Sequence, residues 1–179
     1  LSIHSSRLEG ILLIEPKLFK DERGFFMEAY NKRLFHLHGI TEDFVQDNHS
    51  LSKQIGTLRG LHYQLPPKAQ AKLIRVTKGA IYDVVVDLRQ DSPTFGKWEG
   101  FMLSAENKKQ LFIPKGFAHG FCTLMKDTEV QYKVDEFYSP EHDRGIRWND
   151  PHLAIDWPVS VPFLSSKDAA HPFFTEAEL

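Results

Sequence analysis

At 179 residues the chain is long enough for one well-packed domain, and 22 Lys+Arg against 24 Asp+Glu leave none of the broad basic footprint that marks a nucleic-acid binder. A single cysteine, Cys122, excludes an intrachain disulfide, and the longest apolar runs, such as Ile11-Leu12-Leu13-Ile14 and Val84-Val85-Val86, fall far short of the ~20 residues needed to span a bilayer. With no linker and no charged start leading into an apolar core and cleavage site, residues 1–179 are expected to form one soluble domain in a reducing cytoplasm, with no membrane or nucleic-acid partner.

In chain order the recurring pattern is strands of five to eight residues bounded by Gly, Pro, Asp and Asn, which predicts an all-β fold. Residues 8–16 read as a first strand ending at Pro16. Asp21-Glu22-Arg23-Gly24 reads as the turn before a second strand, Phe25 to Tyr30, so that the two form a hairpin. A short helix is expected over 31–39, with Asn31 as start signal, Gly39 as stop signal and its histidines on the surface. Residues 44–50 begin a strand with an unusually polar end, Gln46-Asp47-Asn48-His49-Ser50. Lys72–Thr77 and Ala80–Leu88 are strands separated by the tight-turn signal Lys78-Gly79. In the second of them Tyr82, Val84, Val86 and Leu88 share one face, leaving Asp83 and Asp87 on the other, where a carboxylate needs a partner. Further strands are expected over 96–103, around 110–121 and over 128–138, with Val130, Tyr132 and Val134 on one face. The C-terminal third reads as Trp- and Pro-rich loop ending in a short helix from Ser165 or Ser166.

Two turns stand out because each carries an isolated histidine. Gly56-Thr57-Leu58-Arg59-Gly60-Leu61-His62-Tyr63-Gln64 sets a guanidinium and an imidazole three residues apart between glycines, and Pro114-Lys115-Gly116-Phe117-Ala118-His119 holds the second. Histidine is suited to proton transfer near neutral pH, and arginine can grip a phosphate through paired hydrogen bonds. Proton chemistry on a phosphorylated substrate is one reading; a structural hydrogen-bonding role for His62 is the other. Many short antiparallel strands with two such turns suggest a cupin-type jelly-roll barrel with short peripheral helices. The chain resembles metal-binding cupins in the Gly56 to His62 and Pro114-x-Gly116-x-x-His119 spacings. It departs from them where the second histidine would be Gln64 and the glutamate would be Lys72, whose ammonium repels a divalent cation. The pocket is therefore read as metal-free. No Gly-x-Gly occurs, and Gly116 and Gly120 lack the Lys-Ser/Thr of a phosphate-binding loop, so no nucleotide redox cofactor is implied.

A more specific resemblance runs through Arg23-Gly24-Phe25-Phe26-Met27-Glu28, Gln46-Asp47-Asn48-His49-Ser50, Leu58 to Gln64, Ala71-Lys72-Leu73-Ile74-Arg75-Val76, Pro114 to Phe121 and Ser166-Lys167-Asp168. These blocks, spread over nearly the whole chain, resemble the dTDP-4-dehydrorhamnose 3,5-epimerase family. The resemblance implies a homodimeric cupin-like barrel acting on a dTDP-4-keto-6-deoxyhexose with no metal or nicotinamide. In such a substrate the C4 ketone acidifies the C–H bonds at C3 and C5, so a base can leave an enolate that an acid reprotonates from the other face. By resemblance His62 is the base, Asp168 its dyad partner, Tyr132 the opposite-face proton donor and Lys72 the stabiliser of the enolate oxygen. On local sequence alone Ser165-Ser166-Lys167-Asp168 reads as a helix capping box and Tyr132 as a buried structural tyrosine.

The resemblance further assigns Arg59 to the pyrophosphate and Arg23, Phe26, Glu28, Gln46, Asp47, Asn48, His119, Tyr138, Asp143 and Lys167 to the rest of the substrate. Asp143 stands where many members carry the longer Glu. Arg23 and Glu28 lie on the early hairpin, which in the family reaches the neighbouring subunit's pocket. Asp83 and His119 are expected to pair across the barrel. On the residues alone a non-catalytic sugar-binding cupin and a metal-dependent cupin oxygenase stay open, the latter disfavoured by Gln64 and Lys72. Within the epimerases, inversion at both carbons and at one carbon both fit.

Overall fold

The computed structural model describes all 179 residues. Its strands are β1 (Ser2–Ser5), β2 (Leu12–Glu15), β3 (Phe19–Asp21), β4 (Gly24–Phe26), β5 (Gln46–Ser52), β6 (Leu58–Gln64), β7 (Lys72–Lys78), β8 (Ala80–Asp87), β9 (Trp98–Ser104), β10 (Gln110–Ile113), β11 (Phe117–Thr123), β12 (Thr128–Val134) and β13 (Asp143–Gly145). Two short helices, α1 (Lys32–Leu37) and α2 (Ser166–Ala169), and a 3-10 turn (Phe174–Glu176) complete it. No helix is long and apolar enough to cross a membrane.

Two antiparallel sheets face each other, one ordered β1-β2-β10-β7-β12-β5 and the other β13-β6-β11-β8-β9. From β5 to β13 the chain changes sheet at nearly every connection, which is the cupin-type jelly roll that the strand pattern predicts. That crossing corrects one local expectation. Lys78-Gly79 does not close a hairpin: Gly79, at φ +80°, passes the chain from β7 in one sheet to β8 in the other. The Pro114 to Gly116 turn does the same between β10 and β11.

The alternation along β8 explains how the interior is divided. Ile81 and Val85 point between the sheets and pack with Ile74, Val76, Leu103, Leu111, Phe121 and Val130 into the inter-sheet core. Val84, Val86 and Leu88 point the other way, under Ile146, Leu153, Trp157 and Phe174 of the C-terminal segment, which covers that sheet's outer face. Part of the outer face of the six-stranded sheet is covered by α1. There Asn31 caps the helix by accepting from the Leu34 N–H (3.1 Å), Gly39 at φ +88° ends it, and Phe35 buries against Ile14, Ile40 and Leu73. Of its histidines, His38 is exposed and His36 half-buried.

The N-terminus differs most from expectation. The strand predicted over 8–16 is confined to Leu12–Glu15 and is paired by an unforeseen β1. The hairpin forms later and shorter, between β3 and β4, as a separate two-stranded sheet with every residue exposed. Strand β13 was also unforeseen, and it pairs with β6 beside the site.

Candidate functional site

Between the sheets, at the end not filled by the inter-sheet core, lies a cavity of about 490 Å³ lined mostly by polar and charged residues. Its base is β6. Strict alternation would put Arg59 and His62, an odd number of positions apart, on opposite faces of the sheet. They line one cavity instead, because the pairing of β6 with β11 slips: His119 sits opposite His62, but Phe121 sits opposite Arg59, so β6 carries one residue more than its partner. Glycine permits the bulge. Gly60 has φ +133°, and a Cβ there would lie 2.5 Å from the Gly120 Cα.

His62 is fixed from behind by the first turn of α2. Its Nε2 lies 2.6 Å from Asp168 Oδ1, while the Gly60 N–H donates to Oδ2 at 3.2 Å. The Ser165 hydroxyl accepts from the Asp168 N–H at 3.1 Å, so the cap predicted from Ser165 forms, but the Asp168 carboxylate serves His62 rather than closing the capping box. Burial opposes the charge on Asp168. The hydrogen bonds from His171, from His62 and from Gly60 outweigh it and hold the carboxyl well below the ordinary carboxylate range. A carboxylate is acceptor-only, which puts the His62 ring proton on Nε2 and leaves Nδ1 as the basic nitrogen. The His62 side chain is 37% exposed and Asp168 only 8%, an accessible imidazole on a buried carboxylate.

The facing wall comes from the six-stranded sheet. Lys72 on β7 is buried, and burial pulls its ammonium down to about 8, against the attraction of Asp83 and Asp143. Tyr132 on β12 is pushed above the ordinary phenol value by burial, against a hydrogen bond from Asn48 and the charge of Arg59. The Lys72 ammonium lies 6.0 Å from the Tyr132 ring centre. His119 and Asp83 pair at 2.8 Å; they sit on adjacent strands of one sheet, not across the barrel as expected. Burial raises the Asp83 carboxyl and lowers the His119 imidazole, and Asp83 Oδ1 is buried with no hydrogen-bond partner.

At the mouth, Arg59 is braced by Nε to Ser52 Oγ (3.0 Å) and Nη2 to the Leu51 carbonyl (3.1 Å). Gln46 donates to Asn48 Oδ1 (2.9 Å) and accepts from the Tyr138 N–H (3.1 Å), tying the Tyr138 loop to β5. Lys167 bonds Asp143 at 2.5 Å. Gln64, where a metal-binding cupin has histidine, spends its amide on backbone: it donates to the Lys68 and Phe137 carbonyls (2.7 and 3.2 Å) and accepts from the Ser139 N–H (2.8 Å).

Of the residues singled out from the sequence, Gln46, Asn48, Arg59, His62, Lys72, His119, Tyr132, Tyr138, Asp143, Lys167 and Asp168 line this one cavity. Four do not. Arg23 is bonded to Asp21 (2.5 Å) on the exposed hairpin, Phe26 is 66% exposed, Glu28 accepts from Asn31 (3.3 Å), and Asp47 turns away to pair with Lys133 at 2.9 Å. Residues that sequence reasoning missed include Ser50, whose buried hydroxyl has no partner at the cavity, and His171 behind Asp168. The donor atoms of His62, Asp168 and His171 all lie within 4.8 Å of one another, a three-donor set that a metal-free reading of the sequence did not foresee. The only sequence signal for His171 is its spacing, three residues after Asp168 at the end of a helical turn.

Residues 5–176 match the family model described as dTDP-4-dehydrorhamnose 3,5-epimerase. A relative of that name from Pseudomonas aeruginosa is 54% identical over 173 residues, covering 96% of this chain and 94% of its own. Among solved structures, the Bacillus anthracis dTDP-4-dehydrorhamnose 3,5-epimerase with TDP and PPi bound is similar at TM-score 0.95 and 57% identity, covering 96% of this chain and 98% of its own. A Legionella pneumophila dTDP-6-deoxy-D-glucose-3,5-epimerase in complex with dTDP-4-keto-L-rhamnose is similar at TM-score 0.92 and 49% identity, covering 98% of this chain and 93% of its own.

Proposed function

The chain belongs to the dTDP-4-dehydrorhamnose 3,5-epimerase family, and from that premise we propose that it converts dTDP-4-keto-6-deoxy-D-glucose to dTDP-4-keto-L-rhamnose in deoxysugar biosynthesis. It is an isomerase, and the whole chain, 1–179, works as one epimerase domain. The observation that carries the reading is the opposition of His62 on one sheet to Tyr132 and Lys72 on the other across a single cavity.

His62 Nδ1 takes the proton from C3 or C5, and the electron pair moves through the carbon skeleton to the C4 oxygen. The buried Lys72 ammonium stabilises the negative charge that develops there, where little water competes. Tyr132, kept as a neutral phenol, returns a proton to the opposite face of the carbon. Proton exchange with solvent then resets imidazolium and phenolate. Asp168 orients His62 and balances the imidazolium. Arg59 takes the pyrophosphate, and Gln46, Asn48, His119, Tyr138, Asp143 and Lys167 hold the remainder of the dTDP-sugar. Two of the usual cupin ligand positions hold a backbone brace, Gln64, and a buried cation, Lys72, which supports a reaction without a metal cofactor.

Arg23, Phe26 and Glu28 complete the site of the neighbouring subunit in a homodimer, while Asp47 on β5 lines the adjoining hollow of its own chain. Strands β3 and β4 leave Phe19, Phe25 and Phe26 52%, 54% and 66% exposed, and a lone two-stranded hairpin is marginal in water. A second hollow of about 380 Å³, sharing Asn48 and Tyr132 with the catalytic cavity and lined by Asp47, Arg75 and Lys133, gives a partner's hairpin an entry. A nucleotide-sugar substrate and one unpaired, buried cysteine support a cytoplasmic setting.

The test is incubation with dTDP-4-keto-6-deoxy-D-glucose in deuterated water, after exhaustive chelation and with no nicotinamide. The wild type should label both C3 and C5. His62→Asn should label neither, whereas Tyr132→Phe should exchange with retained configuration, because His62 can still remove and return a proton on its own face. Label at one carbon alone would make the protein a single-site epimerase, and normal epimerisation by Tyr132→Phe would remove the two-face mechanism.

A further inference from the structure

His171 is a buried titratable group beside the reacting centre that the reaction above does not use. It is 8% exposed, and its ring is set edge-on to His62, with centroids 5.6 Å apart and planes at 79°. Its hydrogen-bonding partner is Asp168 Oδ1, at 3.2 Å, the same oxygen that takes His62 Nε2 at 2.6 Å. Two separate parts of the chain, the α2 turn and the segment from β13 to Arg147, build this position. The α2 turn supplies the spacing from Asp168. The Arg147 Nε–H donates to the His171 carbonyl at 3.1 Å, and Gly145 on β13 lies against the imidazole so closely that any Cβ there would overlap the ring. A histidine placed only to fill volume would not need its Nε2 aimed at the carboxylate that supports the base.

We propose that His171 is a positioning residue for catalysis: by donating Nε2–H to Asp168 Oδ1, while the Gly60 N–H holds Oδ2, it locks the carboxylate in the plane that presents Oδ1 to His62. The reason is geometric. The terminal torsion of an aspartate is broad, so a carboxylate tied at one oxygen alone can swing. Here both oxygens are tied independently of His62, and the short bond to His62 is made by a group that cannot turn away. His62 is thereby held in the Nε2–H form with Nδ1 facing substrate. Loss of His171 leaves a buried acceptor position unfilled and frees the carboxylate to rotate or admit water.

This inference rests on the reading of His62 as the base, and the experiment separates the two. In wild-type protein labelled with ¹⁵N-histidine, the ring nitrogens report tautomers directly: His62 and His171 should both carry the proton on Nε2, with the His62 proton strongly deshielded. His171→Ala should lose about tenfold or more in kcat and in C–H exchange, as removal of an outer support typically does, with KM and dTDP affinity unchanged and the deshielded proton weakened. His171→Gln, whose amide can donate from nearly the same place, should recover most of the rate. Equal losses in both variants, a rise in KM in place of a fall in kcat, or full activity of a folded His171→Ala would overturn the proposal. So would a His171 found with its proton on Nδ1 in the wild type, a result that needs no variant to fold. Proton exchange persisting in His62→Asn would instead refute the base assignment, and the tautomer measurement would still stand on its own.

Discussion

Lys72 is the residue whose environment makes the sharpest statement about pH. In water a lysine keeps its proton to pH values near 10.5, but burial brings Lys72 to about 8, so the cation proposed for the enolate oxygen is lost within an accessible range. kcat/KM should therefore fall as pH rises through about 8, since that profile reports the free enzyme. Stability should move the other way. Between about 8 and 10.5 the unfolded chain still binds the Lys72 proton while the folded chain has released it, so stability rises with pH across that window, and the cost of burying the charge is fully present below it. Lys72→Arg keeps its charge at all these pH values, and any residual activity should lack the alkaline limb. An unchanged limb in that variant would assign it to another group. Asp143 accepts from Lys167 at 2.5 Å and lines the cavity, so the shorter acid suffices for this ion pair.

At the scale of elements, the bulge in β6 decides whether the site exists. Gly60→Ala would set a Cβ against Gly120 at a φ of +133° that other residues rarely adopt, and this should cost about 1–3 kcal/mol in backbone strain before any steric clash is counted. At roughly 2–4 °C per kcal/mol for a chain of this size, thermal unfolding should shift down by several degrees. Turnover should fall further than stability explains, because Arg59 and His62 share a face only through the bulge. A Gly60→Ala protein with wild-type melting and turnover would show that the bulge does not place them. The same element marks the limit of what was legible. The composition of Leu58 to Gln64 pointed to the chemistry, yet alternation alone would have separated its two key side chains. Local signals read well where the physics is local: Asn31 and Gly39 bound α1, Ser165 caps α2, and Asp83 finds a partner. They misled where the outcome depends on distant chain. Lys78-Gly79 carries a hairpin signal but sits at a crossing between sheets, and β13 has only three residues and owes its form to β6. His171 could not be singled out, because its meaning lies in a carboxylate whose own role the capping-box pattern left open.

For the whole molecule, the feature that a single chain does not explain is the hairpin β3–β4. Its three exposed phenylalanines and an arginine bonded only to Asp21 stand outside both sheets, while the candidate cavity is lined mostly by polar residues and has an adjoining hollow. If the hairpin of one subunit completes the pocket of its two-fold mate, each pocket takes His62 from its own chain and Arg23 from the other. Complementation then has a defined size. A mixture of Arg23→Ala and His62→Ala chains, dissociated and reassociated in equal amounts, should form heterodimers in about half of all dimers, each with one pocket intact and one doubly defective, so about a quarter of wild-type activity should return from two inactive preparations. The assay is turnover of the dTDP-sugar before and after mixing, with sedimentation or light scattering to follow the dimer. Activity that stays at the level of the separate variants while heterodimers form would place Arg23 and His62 in the same chain's pocket, and an active species of monomer mass would remove the shared site altogether.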